Sequence, residues 1–112
     1  MALSEAKVTE IISGFISRLK QEIPVKHAFL FGSYARGDAK DYSDIDIAVI
    51  SDWFDGKPKN KNLQYLSRIA ASYNSLVEAI PFTEKEYRNL DKRTFLCSVI
   101  KTGRKLDVLS EQ

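Results

Sequence analysis

Two aspartates stand two positions apart in the segment 43–50, which has the sequence SDIDIAVI. Alternate residues of a strand point to the same face, so the Cα atoms of Asp44 and Asp46 should lie about 6.6 Å apart at ~3.3 Å per residue. Two carboxylates at this separation repel each other unless a positive charge lies between them. Magnesium prefers oxygen ligands, so the pair predicts a divalent metal site.

The apolar residues of the same segment alternate with these aspartates. Ile45, Ile47 and Val49 would share the opposite face of the strand, where they could pack beneath helices. The alternation therefore predicts a strand with one face in the core and the other face forming a site.

A Gly-Ser pair follows an earlier apolar segment, VKHAFLF, at 25–31. Gly32 allows a sharp turn and the close approach of another group. Ser33 would begin a short helix, SYARG, whose free backbone N–H groups suit a phosphate. If the two strands are neighbours, phosphate contacts and metal ligands meet at one end of the sheet, as phosphoryl or nucleotidyl transfer requires.

Periodic apolar residues predict the elements that position these groups. The pattern predicts a small sheet with helical cover, of α/β or α+β class. Thr83 and Glu86 have the spacing of a capping box at the start of one helix. Helices are predicted at 4–22, with Ser4 as the cap, at 63–73, in a segment from Thr83, and at 95–101, with Gly103 as the stop. Strands are predicted at 25–31, 43–50, 75–82, with Pro81 as the stop, and 104–109. The segment 51–62 is a predicted loop.

Length and composition set further bounds. The 112 residues, 44% of them hydrophobic, predict one domain over 1–112. The net charge of +2, from 17 basic and 15 acidic residues, argues against a dedicated DNA-binding domain, although it does not exclude nucleic acid. The lone Cys97 indicates a reducing compartment. With no signal peptide or membrane span in the sequence, we expect a cytoplasmic protein.

The whole motif resembles a known signature. Gly32-Ser33, then ten residues, then Asp44-Ile45-Asp46 is similar to the pattern of the DNA polymerase β-like nucleotidyltransferase superfamily. The longer form, GSYARGDAKDYSDIDIAV, resembles the minimal nucleotidyltransferases. These are small prokaryotic proteins that are often paired with a HEPN-domain partner in toxin–antitoxin modules.

The resemblance implies roles for the motif residues. Asp44 and Asp46 would ligate Mg²⁺ in a two-metal mechanism. Gly32 and Ser33 would hold the terminal phosphates of ATP or another nucleoside triphosphate, while a hydroxyl attacks the α-phosphate. Arg36 either contacts phosphate or braces the turn by pairing with Asp38 or Asp41. Ser43 would cap or orient the loop before Asp44.

The superfamily adds a third carboxylate from a later strand. Glu78 is the match by chain order, where the family more often has aspartate, and Asp107 in RKLDVL is the competing candidate. Glu78 is preferred because its predicted strand follows the helix after the Asp-x-Asp strand. The plain alternative is a glutamate that faces solvent.

Three hypotheses follow for function. The first is an enzyme that transfers AMP from ATP to a hydroxyl of a HEPN toxin partner. The second is a catalytically weak antitoxin that neutralises its partner by direct contact. The third is a nucleotide sensor. A homodimer and a hetero-oligomer are both open, and the apolar residues near Trp53 are a candidate surface for either.

Overall fold

The computed structural model describes residues 2–108 of the chain and has a mixed α/β fold. This arrangement confirms the predicted fold class. A short 3-10 helix, Asp52–Phe54, lies between β2 and α3. The other elements, in chain order, are α1 (Glu5–Lys20), β1 (His27–Phe31), α2 (Ser33–Arg36), β2 (Ile45–Ser51), α3 (Lys59–Tyr73), β3 (Val77–Thr83), α4 (Glu84–Arg88), α5 (Phe95–Thr102) and β4 (Arg104–Lys105).

The four strands form one mixed sheet in the order β3-β2-β1-β4. The central strand β2 is parallel to β3 and antiparallel to β1, and β4 is antiparallel to β1. In this register Asp46 is opposite Phe31 on one side and opposite Glu78 on the other. Residues paired directly across strands share a face, so the side chains of these three residues form one row.

One face of the sheet lies under the two long helices, α1 and α3. Ile45, Ile47 and Val49 are fully buried there, as the alternation predicted, and Phe15 and Leu66 of the helices pack in the same cluster. This cluster is the larger of the two cores, and it fixes β2 in the sheet.

The opposite face is a second core and not an open site along its whole length. Phe29, Ala48 and Ile50 pack there against Leu96 and Val99 of α5. The expectation that this whole face forms a site is therefore wrong. Only the end that bears Asp46 is left partly open, because the short helices α4 and α5 cover the remainder.

Several predicted caps are present. Ser4 accepts a hydrogen bond from the Lys7 N–H at 3.1 Å and begins α1. The capping box at Thr83 is formed, because the Glu86 N–H donates to the Thr83 hydroxyl and the Thr83 N–H donates to the Glu86 carboxylate. Gly103 follows the last residue of α5. Local sequence thus determines these helix ends.

Other predicted boundaries are wrong. Pro81 does not end the third strand, which continues to Thr83. β3 is an edge strand, and the Pro81 carbonyl accepts a hydrogen bond from Lys59 Nζ at 3.1 Å on its free side, where the missing proline N–H costs no ladder bond. The predicted loop 51–62 contains the end of β2, a 3-10 helix and the start of α3.

The C-terminal strand is shorter than predicted. It comprises only Arg104–Lys105, and the last residue of the predicted strand, Leu109, lies outside the described residues. Cys97 is buried in α5, as predicted for a small core residue. Within residues 2–108, no helix has the length and apolar character needed to cross a membrane.

Candidate active site

The site lies where β2 begins. Asp44 immediately precedes the strand and is exposed, while Asp46 is its second residue and is half-buried. The prediction that both aspartates lie within the strand is therefore correct only for Asp46. The Ile45 N–H donates to the Leu76 carbonyl at 2.8 Å, which ties the start of β2 to the chain entering β3.

Gly32 places the backbone of the Gly-Ser turn directly against Asp46. Its φ of +75° lies in the region that favours glycine. A Cβ atom added to Gly32 would overlap Asp46 Oδ2. Glycine is thus required here for two reasons, and the structure brings the turn and the carboxylate together at one end of the sheet.

Ser33 is the first residue of α2, as the sequence predicts. Gly32 is the N-cap of this single-turn helix, and its carbonyl accepts hydrogen bonds from the N–H groups of Ala35 and Arg36, both at 3.1 Å. Gly37, with a φ of +86°, ends the turn. The half-buried Ser33 therefore occupies a fixed position beside Gly32.

Arg36 and Ser43 both make local contacts. Arg36 Nε lies 3.3 Å from Asp38 Oδ2, in an exposed ion pair that braces the turn. The guanidinium is also close enough to Asp46 to lower the pKa of that carboxyl in part. The Ser43 hydroxyl accepts a hydrogen bond from the Lys40 N–H at 2.8 Å, closing the loop immediately before Asp44.

Asp46 lies in a strongly negative environment. Burial, followed by the charges of Glu78 and Asp44, raises the pKa of Asp46 from 3.8 to about 6. The three carboxylates therefore interact, and their mutual repulsion would be relieved by a proton or a cation.

The three carboxylates have the donor chemistry of a magnesium site. All of their ligand atoms are oxygens. Asp46 and Glu78 are paired across β2 and β3, and Asp44 immediately precedes β2. In the described part of the chain, however, no three histidine, cysteine, aspartate or glutamate side chains are already arranged around one metal position. The donor types and the unrelieved charge fit a hard cation, whereas the side-chain arrangement is not preformed.

Asp107 lies at the other end of the sheet. It lines a depression of about 380 Å³ together with Lys26 and His27. His27 is opposite Ile50, four residues along β2 from Asp46, or roughly 13 Å away at ~3.3 Å per residue. Of the two candidates for the third carboxylate, the structure brings only Glu78 next to Asp46.

Glu78 is exposed at the edge of the sheet. With Asp44, Ser67 and Ser75 it lines a shallow depression of about 190 Å³ between α3 and β3. Its carboxylate is therefore accessible to a second molecule as well as being close to Asp46.

The aromatic residues near Trp53 do not border this site. Phe54 is fully buried in the larger core, and Trp53 packs against Tyr65 at 4.7 Å between ring centroids. Lys57 Nζ lies 4.2 Å from the centre of the Trp53 ring. These residues follow the last residue of β2, at the opposite end of the strand from Asp46.

Phe31, which is paired with Asp46, and Phe95, which contacts Phe31, were not identified from the sequence. Phe31 shares the row with Asp46, and the ring centroid of Phe95 lies 5.5 Å from that of Phe31. Both occur in apolar segments that predict core positions. Only the strand register and the docking of α5 reveal their place, so no local signal could have identified them.

Comparison with known proteins extends the geometric evidence. A family model described as "Nucleotidyltransferase domain" matches residues 12–108. "Putative protein adenylyltransferase MJ0604" of Methanocaldococcus jannaschii is 32% identical over 98 residues, which are 85% of this chain and 93% of that protein. "Putative protein adenylyltransferase MJ0141" of the same organism is 30% identical over 100 residues, with coverages of 87% and 96%. The family-model match, over residues 12–108, spans the Gly-Ser turn and all three carboxylates.

Two solved structures are similar. A "putative nucleotidyltransferase" from Sulfolobus solfataricus has a TM-score of 0.61 at 23% identity, covering 75% of this chain and 74% of its own, and this likeness supports the fold alone. A variant of the toxin–antitoxin complex MntA-HpeT contains a chain with a TM-score of 0.51 at 27% identity, covering 95% of this chain and 73% of that one.

Proposed function

The chain belongs to the nucleotidyltransferase domain family, and from that premise we propose that it transfers AMP from ATP to a hydroxyl group of a partner protein. The main support is the contact of the Gly32 turn with Asp46. Asp46 is in turn paired with Glu78 across β2 and β3. This arrangement supports the proposal, because the turn proposed to bind phosphate lies beside acidic groups suited to a cation. The names of the two relatives from M. jannaschii support protein as the acceptor class.

In this proposal, Gly32 and Ser33 hold the terminal phosphates of the nucleotide. The absence of a side chain at Gly32 lets the turn approach Asp46 closely, so phosphates held by the turn would lie near a cation held by that carboxylate. The Ser33 hydroxyl adds a donor. Arg36 lies near enough to contribute positive charge, although its ion pair with Asp38 must loosen if it is to reach a phosphate.

Asp44, Asp46 and Glu78 would hold Mg²⁺, in one or two positions. Bound Mg²⁺ would supply neutralisation of the charge on the triphosphate and on the departing pyrophosphate. The raised pKa of Asp46 supports this assignment, because burial and the charges of Glu78 and Asp44 outweigh the nearby Arg36 guanidinium. We propose that cation binding draws the three side chains together.

The reaction would proceed by in-line displacement at the α-phosphate. The acceptor hydroxyl oxygen forms a bond to the α-phosphorus, the bond from that phosphorus to the oxygen bridging to the β-phosphate breaks, and pyrophosphate leaves. Glu78 would accept the hydroxyl proton, because it is both exposed and adjacent to Asp46.

We propose a HEPN-domain toxin as the partner, modified on a side-chain hydroxyl in the cytoplasm. The support is the likeness of the chain, over 95% of its length, to one component of the MntA-HpeT toxin–antitoxin complex. Modification of the partner would add negative charge and bulk, which could silence it.

A catalytically weak antitoxin is the second candidate. In residues 2–108, the acidic side chains are not already arranged around one metal position, which favours this candidate. Glu78 favours it too, because it is exposed and stands where the family more often has aspartate. Such a protein would neutralise its partner by contact alone.

The test uses labelled ATP, Mg²⁺ and the proposed partner, a HEPN-domain protein from the same organism. We expect wild-type protein to add one or more nucleotide units to the partner, measured by intact mass, and Asp46→Asn to abolish the addition. Asp38→Asn is the matched control. Asp38 is an exposed aspartate close to the Gly-Ser turn, and it is not one of the three proposed metal ligands. Undiminished transfer by Asp46→Asn would refute the assignment, and an inhibited but unmodified partner would favour the second candidate.

A further inference from the structure

Phe95 is an exposed aromatic residue in a well-defined position. It is the first residue of α5 and is 54% exposed, whereas Leu96, Cys97 and Val99 of the same helix are buried. The Thr94 hydroxyl accepts a hydrogen bond from the Cys97 N–H at 3.2 Å and caps the helix. The ring is therefore held at the surface by a capped and packed helix.

The Phe95 ring contacts Phe31, the residue paired with Asp46 on the neighbouring strand. It packs edge-on against Phe31, with ring centroids 5.5 Å apart and an interplanar angle of 82°. Phe31 is opposite Asp46 and lies on the same face of the sheet. On its other side, Phe95 lies 6.4 Å from the ring of Phe82 in the second core. The two phenylalanines thus connect the core beneath α5 with the open end of β2.

We propose that Phe31 and Phe95 form a platform on which the base of the nucleoside triphosphate stacks, an inference that rests on the proposed function. The ribose connects the base to the α-phosphate, so a base must lie close to the groups that hold the phosphates. An aromatic ring stacks on the π-face that every base has. Phe95 offers an exposed ring in contact with Phe31, and Phe31 is the residue paired with Asp46 across the two strands.

The platform also predicts a base preference. Stacking uses the face of the base and not its hydrogen-bonding edge, so it discriminates by ring size. A purine has the larger face and should bind more tightly than a pyrimidine. Part of the preference for ATP over CTP should therefore come from Phe95.

The experiment measures the affinity of the full chain for two ligands in Mg²⁺ by calorimetry. ATP contains the base, whereas inorganic tripolyphosphate has the phosphates alone. We expect Phe95→Ala to weaken ATP binding by about 5- to 150-fold, the range that stacking on one aromatic side chain provides, and to leave tripolyphosphate binding unchanged. The affinity ratio of ATP to CTP should fall in the same variant.

Two further variants separate stacking from general damage. Phe95→Tyr keeps the ring and should retain ATP affinity within about twofold. Leu90→Ala removes another partly exposed apolar side chain, 41% exposed and preceding α5, and should change neither affinity.

Each other outcome overturns the inference. Unchanged ATP binding by Phe95→Ala, while the wild type binds and transfers normally, shows that the platform is wrong and the proposed function is intact. An equal loss for both ligands, or a loss of partner binding alone, assigns Phe95 to a different role. If the wild-type protein binds neither ATP nor tripolyphosphate, the proposed function fails and the platform fails with it.

Discussion

The two faces of β2 differ in how completely the helices cover them. On one face, Ile45, Ile47 and Val49 are fully buried beneath α1 and α3, which have 16 and 15 residues. On the other face, α4 and α5 have only 5 and 8 residues. They cover Ala48 and Ile50 but leave Asp46 partly open. The length of the covering helices thus determines where the sheet can keep charged groups.

This comparison explains why a negative cluster is tolerated at the start of a buried strand. Asp46 is half-buried and close to two other carboxylates, an arrangement that disfavours its charged form. The larger core on the opposite face supplies the stability that offsets this cost. One strand therefore combines a stabilising face with a face that costs stability, as many functional sites do.

Ile47→Ala should have the largest effect on stability. Ile47 is fully buried in the larger core, and removing its side chain leaves a cavity, so we expect the free energy of unfolding to fall by about 2–5 kcal/mol. Chemical denaturation of the variant and of the wild type gives the difference. The adjacent Asp46→Asn on the other face is the control and should show no such loss. If both variants lose similar stability, the two faces of β2 do not differ in their contribution to the free energy of unfolding.

Gly32→Ala should have the next largest effect, at the contact between the turn and the carboxylate. The new Cβ overlaps Asp46 Oδ2 and also forces a left-handed φ on alanine, which costs about 1–3 kcal/mol. Gly37→Ala is the matched control, because Gly37 has a φ of +86° but no described atom lies within 4 Å of its added Cβ. Thermal unfolding and Mg·ATP affinity are measured for both variants. Only Gly32→Ala should lose nucleotide binding, and equal losses would mean that backbone strain alone is responsible.

Asp46 should make stability depend on pH in a known direction. Its pKa is raised from 3.8 to about 6 in the folded protein, so its contribution to stability is fully present below pH ~4 and is lost as the pH rises through ~6. Without added metal, Asp46→Asn should therefore be more stable than the wild type at pH 7.5, by on the order of 1 kcal/mol after solvent screening of this half-exposed group.

The measurement is the difference in unfolding free energy between Asp46→Asn and the wild type at pH 4 and pH 7.5. This difference isolates Asp46, because other groups titrate in both proteins. It should increase with pH, and Mg²⁺ at pH 7.5 should reduce it by stabilising the wild type. A difference that is independent of pH would contradict the negative environment described for the open end.

Substitution of Arg36 should have the smallest effect on stability. It should still show whether Arg36 contacts phosphate or only braces the turn. Its ion pair with Asp38 is exposed, so Arg36→Gln and Asp38→Asn should each change the unfolding free energy by less than about 1 kcal/mol. If Arg36 contacts phosphate, only Arg36→Gln should raise the KM for ATP. If the two variants have the same KM, the arginine acts only as a brace of the turn.

The sequence predicted those features that depend on near neighbours along the chain. The Ser4 cap, the Thr83 capping box and the burial of alternate residues in β2 follow local rules and are present. The prediction that Pro81 ends the third strand was wrong, because a proline ends a central strand but is accepted in an edge strand such as β3. The position of a strand within a sheet is not a local property.

Local sequence was enough to identify the chemical groups of the candidate site: a glycine able to contact another group, a helix start at Ser33, and acidic residues two apart. Packing between distant parts of the chain places Glu78, and not Asp107, beside Asp46. It also closes most of the second face with α5 and brings Phe95 against Phe31, the residue paired with Asp46. The reason is physical. Turn, cap and alternation patterns arise from interactions over a few residues, whereas strand register and helix docking depend on packing between residues far apart in the chain.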